Sequence, residues 1–121
     1  MTALVPEHDD VLLSTERLEA IGEVDVAAGR ITVGAGVALA QVHSAAAAAR
    51  LKFGVDIASR DTATIGGMVS TNAGGLHTVR YGNMAEQVLG LEVVLPGGTT
   101  VRRSPKVLSD NSGYNLPALW V

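Results

Sequence analysis

Between Thr62 and Gly75 the sequence TATIGGMVSTNAGG carries four glycines, three threonines and one serine, with Ile65, Met68 and Val69 as its bulky apolar side chains. Ordering such a stretch costs backbone entropy, so its composition needs a reason. Gly66-Gly67 at the start of a short helix would leave backbone N–H groups unpaired and unshielded, which suits an anion. Thr62, Thr64, Ser70 and Thr71 add hydroxyl donors for phosphate oxygens. Asn72 offers a donor and an acceptor to the edge of a polar ring. Ala73-Gly74-Gly75 would let a flat group lie against the backbone. The segment holds no lysine, so a pyrophosphate with a planar ring beside it fits better than a transferable γ-phosphate. Spacing alone does not choose between that and a pair of glycine-rich turns.

A second glycine pattern competes with the first. In ITVGAGVALAQ a strand-like run enters Gly34-x-Gly36, a helix pattern begins at once, and Asp56 lies twenty residues beyond Gly36. That is the layout of a nicotinamide-dinucleotide fingerprint, with an acid placed for a ribose hydroxyl. Against it, Leu39 stands where the third glycine belongs, and no second βα unit follows Asp56. A tight strand-to-helix turn with glycine at positive φ is the favoured reading of Gly34 and Gly36.

The elements that must position these residues are short. DVLLST (10–15) has the pattern of a strand, and EVDVAAGRITVGAG (23–36) alternates about Ala27-Ala28-Gly29-Arg30 as a hairpin does. VALAQVHSAAAAARL (37–51) is the strongest helix pattern, ended by Gly54 after a short connection. A short helix is expected from about Gly67 to Ala73. QVLGLEVVLPGGTTVRR (87–103) predicts a second hairpin turning at Pro96-Gly97-Gly98, and NSGYNLPALWV a turn with a helix from Leu116. Hairpins with helices between them define an α+β class rather than an alternating parallel one.

Composition excludes several functions. Hydrophobic residues make up 47% of the 121 and charged residues 17%, a globular balance. A net charge of -3 and only four aromatic residues give no footprint for nucleic acid. With no cysteine there is no disulfide, thiolate metal site or thiol nucleophile. His8, His43 and His77 are scattered without metal-ligand spacing, and no metal site is expected. His43 is expected to be an ordinary surface or edge residue. Glu7, Asp9 and Asp10 stand where a signal peptide would be basic, and no apolar run reaches a membrane span, so a cytoplasmic protein is the expectation. The apolar ending NLPALWV suggests a piece of something longer.

The run FGVDIASRDTATIGGMVSTNAGGLHTVRYGNMAEQVLGLEVVLPGGTTVRR resembles the heart of an FAD-binding domain of the vanillyl-alcohol oxidase, or PCMH, type. Within that family it is most similar to the branch of glycolate oxidase, D-lactate dehydrogenase and D-2-hydroxyglutarate dehydrogenase, whose motif is DPSSRDSATIGG…TNAGG…RYG…VLGLEVVL. Arg60-Asp61, Ala63 to Gly67, Thr71 to Gly75 and Arg80-Tyr81-Gly82 all match it, and SDNSGYNL (109–116) resembles the family's KDNTGYDL. Departures are Ala35-Gly36-Val37 for the family's PGV, and Asp56-Ile57-Ala58-Ser59 for its DPSS.

The resemblance implies the second subdomain of such a domain, a mostly antiparallel sheet with packed helices. It makes residues 1–121 a partial FAD-binding domain, lacking the family's first phosphate loop and its substrate domain. It places Ser59, Ala63, Thr64, Gly66 and Gly67 at the pyrophosphate, and Ser70, Asn72, Ala73 and Gly74 nearer the ring system. His77 would then be able to meet the flavin edge. The implied reaction is oxidation of a small 2-hydroxy acid, with hydride passing to flavin N5. No catalytic residue is expected in this stretch. Arg80 is expected to pair with Asp61 or Glu86. The competing expectations are an inactive remnant or assembly subunit that holds no flavin alone, and the nicotinamide-binding unit. A second copy or a partner chain is expected to cover exposed edges.

Overall fold

The computed structural model describes residues 7–103 and 119–121. Its first feature is the expected hairpin, present as two antiparallel bridges, Ile21 with Val33 and Asp25 with Arg30. Three residues lie between the bridges on the first arm and two on the second, so the first arm carries a bulge. Gly29 turns the chain at φ 60. The Asp25 carboxylate accepts from the Ala28 N–H at 3.0 Å and pairs with the Arg30 guanidinium at 3.0 Å. That backbone hydrogen bond is the largest influence on the Asp25 carboxyl and, joined by Arg30, holds it below its ordinary value against the opposing effect of desolvation.

From the second arm the chain turns inward through Gly34 and Gly36. Their N–H groups donate to the Ala20 carbonyl at 2.8 Å and the Leu18 carbonyl at 2.9 Å. A β-carbon on Gly34 would collide with the Leu18 carbonyl oxygen, and one on Gly36 with that of Thr15. Neither glycine has positive φ. The expectation of a positive-φ turn is therefore corrected, because these glycines admit the backbone of residues 15–18. With both N–H groups spent, they offer no cradle for a nicotinamide dinucleotide.

Helix α1 spans Leu39–Ala48 and buries Leu39 and Val42. Gln41 accepts from the Ala38 N–H at 2.9 Å, which supplies the start that an alanine cannot cap itself. The helix stops at Arg50, not at the expected Gly54. Arg50 takes φ 59, its N–H donates to Ala47, and the Leu51 N–H donates to Ala46. This is a Schellman closure with arginine in the place glycine usually holds. Gly54 has another purpose, since a β-carbon there would stand 2.7 Å from the Tyr81 Cβ.

Three short helices follow: α2 (Ile65–Ser70), α3 (Thr78–Tyr81) and α4 (Met84–Gln87). Strands β1 (Leu91–Val94) and β2 (Thr100–Arg103) then pair antiparallel, from Leu91 opposite Arg103 to Val94 opposite Thr100. Pro96-Gly97-Gly98 make the turn as expected. The Gly98 N–H donates to Leu95 at 2.8 Å, and Gly98 itself sits at φ 82, as a three-residue hairpin loop requires. Glu92 and Arg102 form an ion pair across the strands.

The core gathers Val37, Leu39, Val42, Val55, Ile65, Met68, Val69 and Met84. Val37 and Leu39 flank Ala38, which bridges to Thr64, so the starts of α1 and α2 are tied across this core. Helices with one antiparallel strand pair place the described residues in the α+β class. The 109–116 motif and all but the last three residues of the expected C-terminal turn and helix lie outside the described residues. Among the described residues no helix is long and apolar enough to cross a membrane.

Candidate flavin-binding segment

Thr64 opens α2 in an extended conformation, and its Oγ1 accepts from the Gly67 N–H at 3.4 Å. The helix starts two residues earlier than the sequence suggested, and this changes which donors are free. The Ile65 N–H goes to the Val37 carbonyl at 2.9 Å, the Gly66 N–H to Ala35 at 2.8 Å, and the Met68 N–H to Thr64 at 2.9 Å. The unpaired N–H groups expected here are thus taken by the chain that leads into α1.

The two adjacent glycines do different things. A β-carbon on Gly66 would lie 2.7 Å from the Ala35 Cβ, so Gly66 lets α2 pack onto the 35–37 turn. Gly67 is exposed, and a β-carbon on it would meet nothing nearer than Thr64 Oγ1 at 3.2 Å. Its bare face is open ledge. The hydroxyls beside it bond back to the helix. Ser70 Oγ donates to the Gly66 carbonyl at 3.0 Å and Thr71 Oγ1 to the Gly67 carbonyl at 2.9 Å. Such back-bonding occupies the donor and leaves the hydroxyl oxygen as an acceptor.

Asn72 closes α2 as Arg50 closes α1. It takes φ 44, its N–H donates to Val69, and the Ala73 N–H donates to Met68. Its Oδ1 accepts from the Ala85 N–H of α4 at 3.0 Å, so the amide nitrogen is the half that remains for a ligand. Gly74 is exposed, and its missing side chain clears Asn83 Oδ1 and Thr78 Oγ1. Gly75 offers no surface to a flat group, because the Asp56 backbone lies on it. Ser59 is exposed and begins the turn whose carbonyl receives the Ala63 N–H at 2.8 Å; Ala63 is half-buried. Ser59, Gly67, Ser70, Asn72 and Gly74 are thus outward, while Ala63, Thr64, Gly66 and Ala73 lie partly beneath.

Several side chains behave otherwise than the sequence suggested. His43 is half-buried rather than at the surface, with Nε2 3.1 Å from the Val55 carbonyl and 3.6 Å from Asp56 Oδ1. Asp56 pairs with Arg60 at 3.1 Å, while its Oδ1 is buried and has no hydrogen-bond partner. Arg80 pairs with neither Asp61 nor Glu86; its guanidinium lies 5.2 Å from the centre of the Tyr81 ring. The Glu86 carboxylate instead accepts from the Asn83 N–H at 2.7 Å, starting α4. The four residues NMAE (83–86) carry that reciprocal cap as a signal in the sequence itself. Among the described residues no group of acids and histidines could hold a metal.

An open glycine face is thus flanked by outward polar residues, over a covered apolar underside, in an α+β fold. The chain is a member of the FAD binding domain family, which matches residues 2–104. FAD is accordingly the cofactor of this domain, and the resemblance carried by the TIGG and TNAGG runs is borne out. The chain is 38% identical to a D-2-hydroxyglutarate–pyruvate transhydrogenase of Saccharomyces cerevisiae over 98% of its own length and 24% of that protein's. It is 37% identical to a D-2-hydroxyglutarate dehydrogenase of Xanthomonas citri (97% and 25%) and 42% identical to a D-lactate dehydrogenase of Archaeoglobus fulgidus (97% and 26%). It therefore spans about a quarter of the length of these relatives. Others are named as mitochondrial enzymes, so the relatives do not single out the cytoplasm.

Proposed function

We propose that this chain is the FAD-cradling part of a flavin-linked oxidoreductase acting on a small 2-hydroxy acid. The observation that carries the reading is the open face of Gly67 within a segment that the FAD family matches. Ser59, Ala63, Thr64 and Gly67 would meet the pyrophosphate, with Gly66 supporting them from beneath. Ser70, Asn72, Ala73 and Gly74 would lie toward the ring system, Asn72 through its amide nitrogen. Bound FAD supplies the hydride acceptor; the chain's own part is to bind and orient it. The relatives' names supply the substrate class. Residues 1–121 would form the second subdomain and part of a larger FAD-binding unit.

A second reading draws on the paired N–H groups of α2. With Ile65, Gly66 and Gly67 donating internally, the segment holds few free donors for a pyrophosphate. Each hydrogen bond to a charged oxygen is worth about 1.5–3 kcal/mol, so flavin would then be held firmly only with further segments or a partner chain. Exposed Leu76 and Val79 beside the segment would suit such a cover.

FAD titration, followed by flavin absorbance after desalting, tests both readings. Retained FAD that is lost in Gly67→Val supports the cradle. FAD bound equally by Gly67→Val overturns the placement. No retention by the unaltered chain supports the second reading.

A further inference from the structure

We propose that Lys52, His77 and Arg80, gathered around Tyr81, form a binding site for a small oxyanion, a carboxylate or phosphate group. Lys52 Nζ lies 3.4 Å from His77 Nε2 and 5.9 Å from the centre of the Tyr81 ring. The Arg80 guanidinium carbon is 5.2 Å from the same centre. The His77 ring stands at 90° to that of Tyr81, with centres 6.2 Å apart. Tyr81 is itself held firmly. Gly54 brings its backbone against the Tyr81 Cβ, and Gln87 Nε2 donates to the Tyr81 carbonyl.

The charges around this ring are unbalanced. Arg30, Arg60 and Arg102 each face a carboxylate, yet among the described residues neither Lys52 nor Arg80 has one within ion-pair distance. The charged and titratable groups on the elements that meet here are Lys52, Asp56, His77, Arg80, Tyr81 and Glu86, and the Asp56 carboxylate is paired with Arg60 and faces His43. Glu86 is turned to the Asn83 N–H. Two permanent cations and an imidazole thus share one aromatic platform without an acid.

An oxyanion supplies what this arrangement lacks. Lys52 Nζ and His77 Nε2 already face one another at 3.4 Å, so one small acceptor can meet both. An oxyanion at the pair accepts from the Lys52 ammonium and from a His77 ring N–H together, with the Arg80 guanidinium on the same ring. The cluster goes beyond the flavin reading and does not depend on it. The oxyanion can come from a free carboxylic acid or from the phosphates of a dinucleotide.

The test is an imidazole 15N NMR titration of the purified chain with inorganic phosphate. Sodium chloride at matched ionic strength is the control. Saturable His77 shifts are expected. Lys52 is exposed, so Lys52→Met keeps the fold, and it should weaken phosphate about tenfold. Arg102→Gln, which removes a cation already paired with Glu92, should leave binding unchanged. Identical shifts with chloride, full binding by Lys52→Met, or equal loss in Arg102→Gln would each overturn the site. Displacement of phosphate by ADP but not lactate names dinucleotide phosphate as the source, and the reverse names a free acid; either supports the site.

Discussion

Gly75 lies against the backbone of Asp56: a β-carbon on it would stand 2.8 Å from the Asp56 amide nitrogen and closer still to the carbonyl oxygen. The next N–H, of Leu76, donates to that carbonyl at 2.9 Å. The glycine-rich segment is thereby joined to the acid loop, where Asp56 pairs with Arg60. Backbone cannot swing aside as a side chain can. Gly75→Ala should therefore destabilise the chain by about 2 kcal/mol or more. A urea midpoint unchanged by this substitution would show that the two segments are not apposed.

Gly67 gives the contrasting case. An added methyl meets only Thr64 Oγ1 at 3.2 Å, in a helix where alanine is preferred by about 1 kcal/mol. Gly67→Ala should leave stability equal or raised while weakening FAD, because the methyl covers the open ledge. Thermal melting and flavin titration on the same sample separate the two effects. A joint loss of stability and binding would count against a ledge.

Asn72 serves two helices, ending α2 and receiving the Ala85 N–H of α4. Asn72→Ala removes the acceptor and strains a left-handed position, and should cost about 1–2 kcal/mol. Asn72→Asp keeps the acceptor and should cost less than half as much. Equal losses in both variants, measured by chemical denaturation, would show that the Ala85 contact contributes nothing.

The Asp25 turn should respond to acid. Its carboxyl is depressed in the fold, so the stabilisation is complete above the ordinary carboxylate range and fades as pH falls below it, toward the lowered folded value. Ala28 and Arg30 amide resonances should hold steady from neutral to mildly acidic pH and move only under stronger acid. In Asp25→Asn that late movement should vanish. Movement beginning near neutrality would point to another group.

Both hairpins could be read from the sequence because their turns are local: Gly29 and Gly98 take positive φ inside short loops flanked by alternating residues. The body of α1 was equally plain in its alanines, but its end was not. Arg50 adopts a conformation that composition assigns to glycine, and Gly54 answers to Tyr81, far along the chain. The candidate site divides the same way. Its glycine-rich, hydroxyl-rich character is visible in the residues themselves. Which N–H groups stay free depended on the Ala35 and Val37 carbonyls, brought to α2 only by the fold. Gly34, Gly36 and Gly75 were misread for a related reason, since each makes room for backbone distant in sequence.

The β1–β2 turn also has a practical side. A β-carbon on Gly97 would meet nothing within 4 Å, and unlike Gly98 that residue is not at positive φ. The sequence contains no cysteine. Gly97→Cys would therefore give a single, freely reachable thiol at the hairpin tip. A maleimide dye attached there would report the tumbling of the chain, or its docking to another subunit, without disturbing the ledge around Gly67.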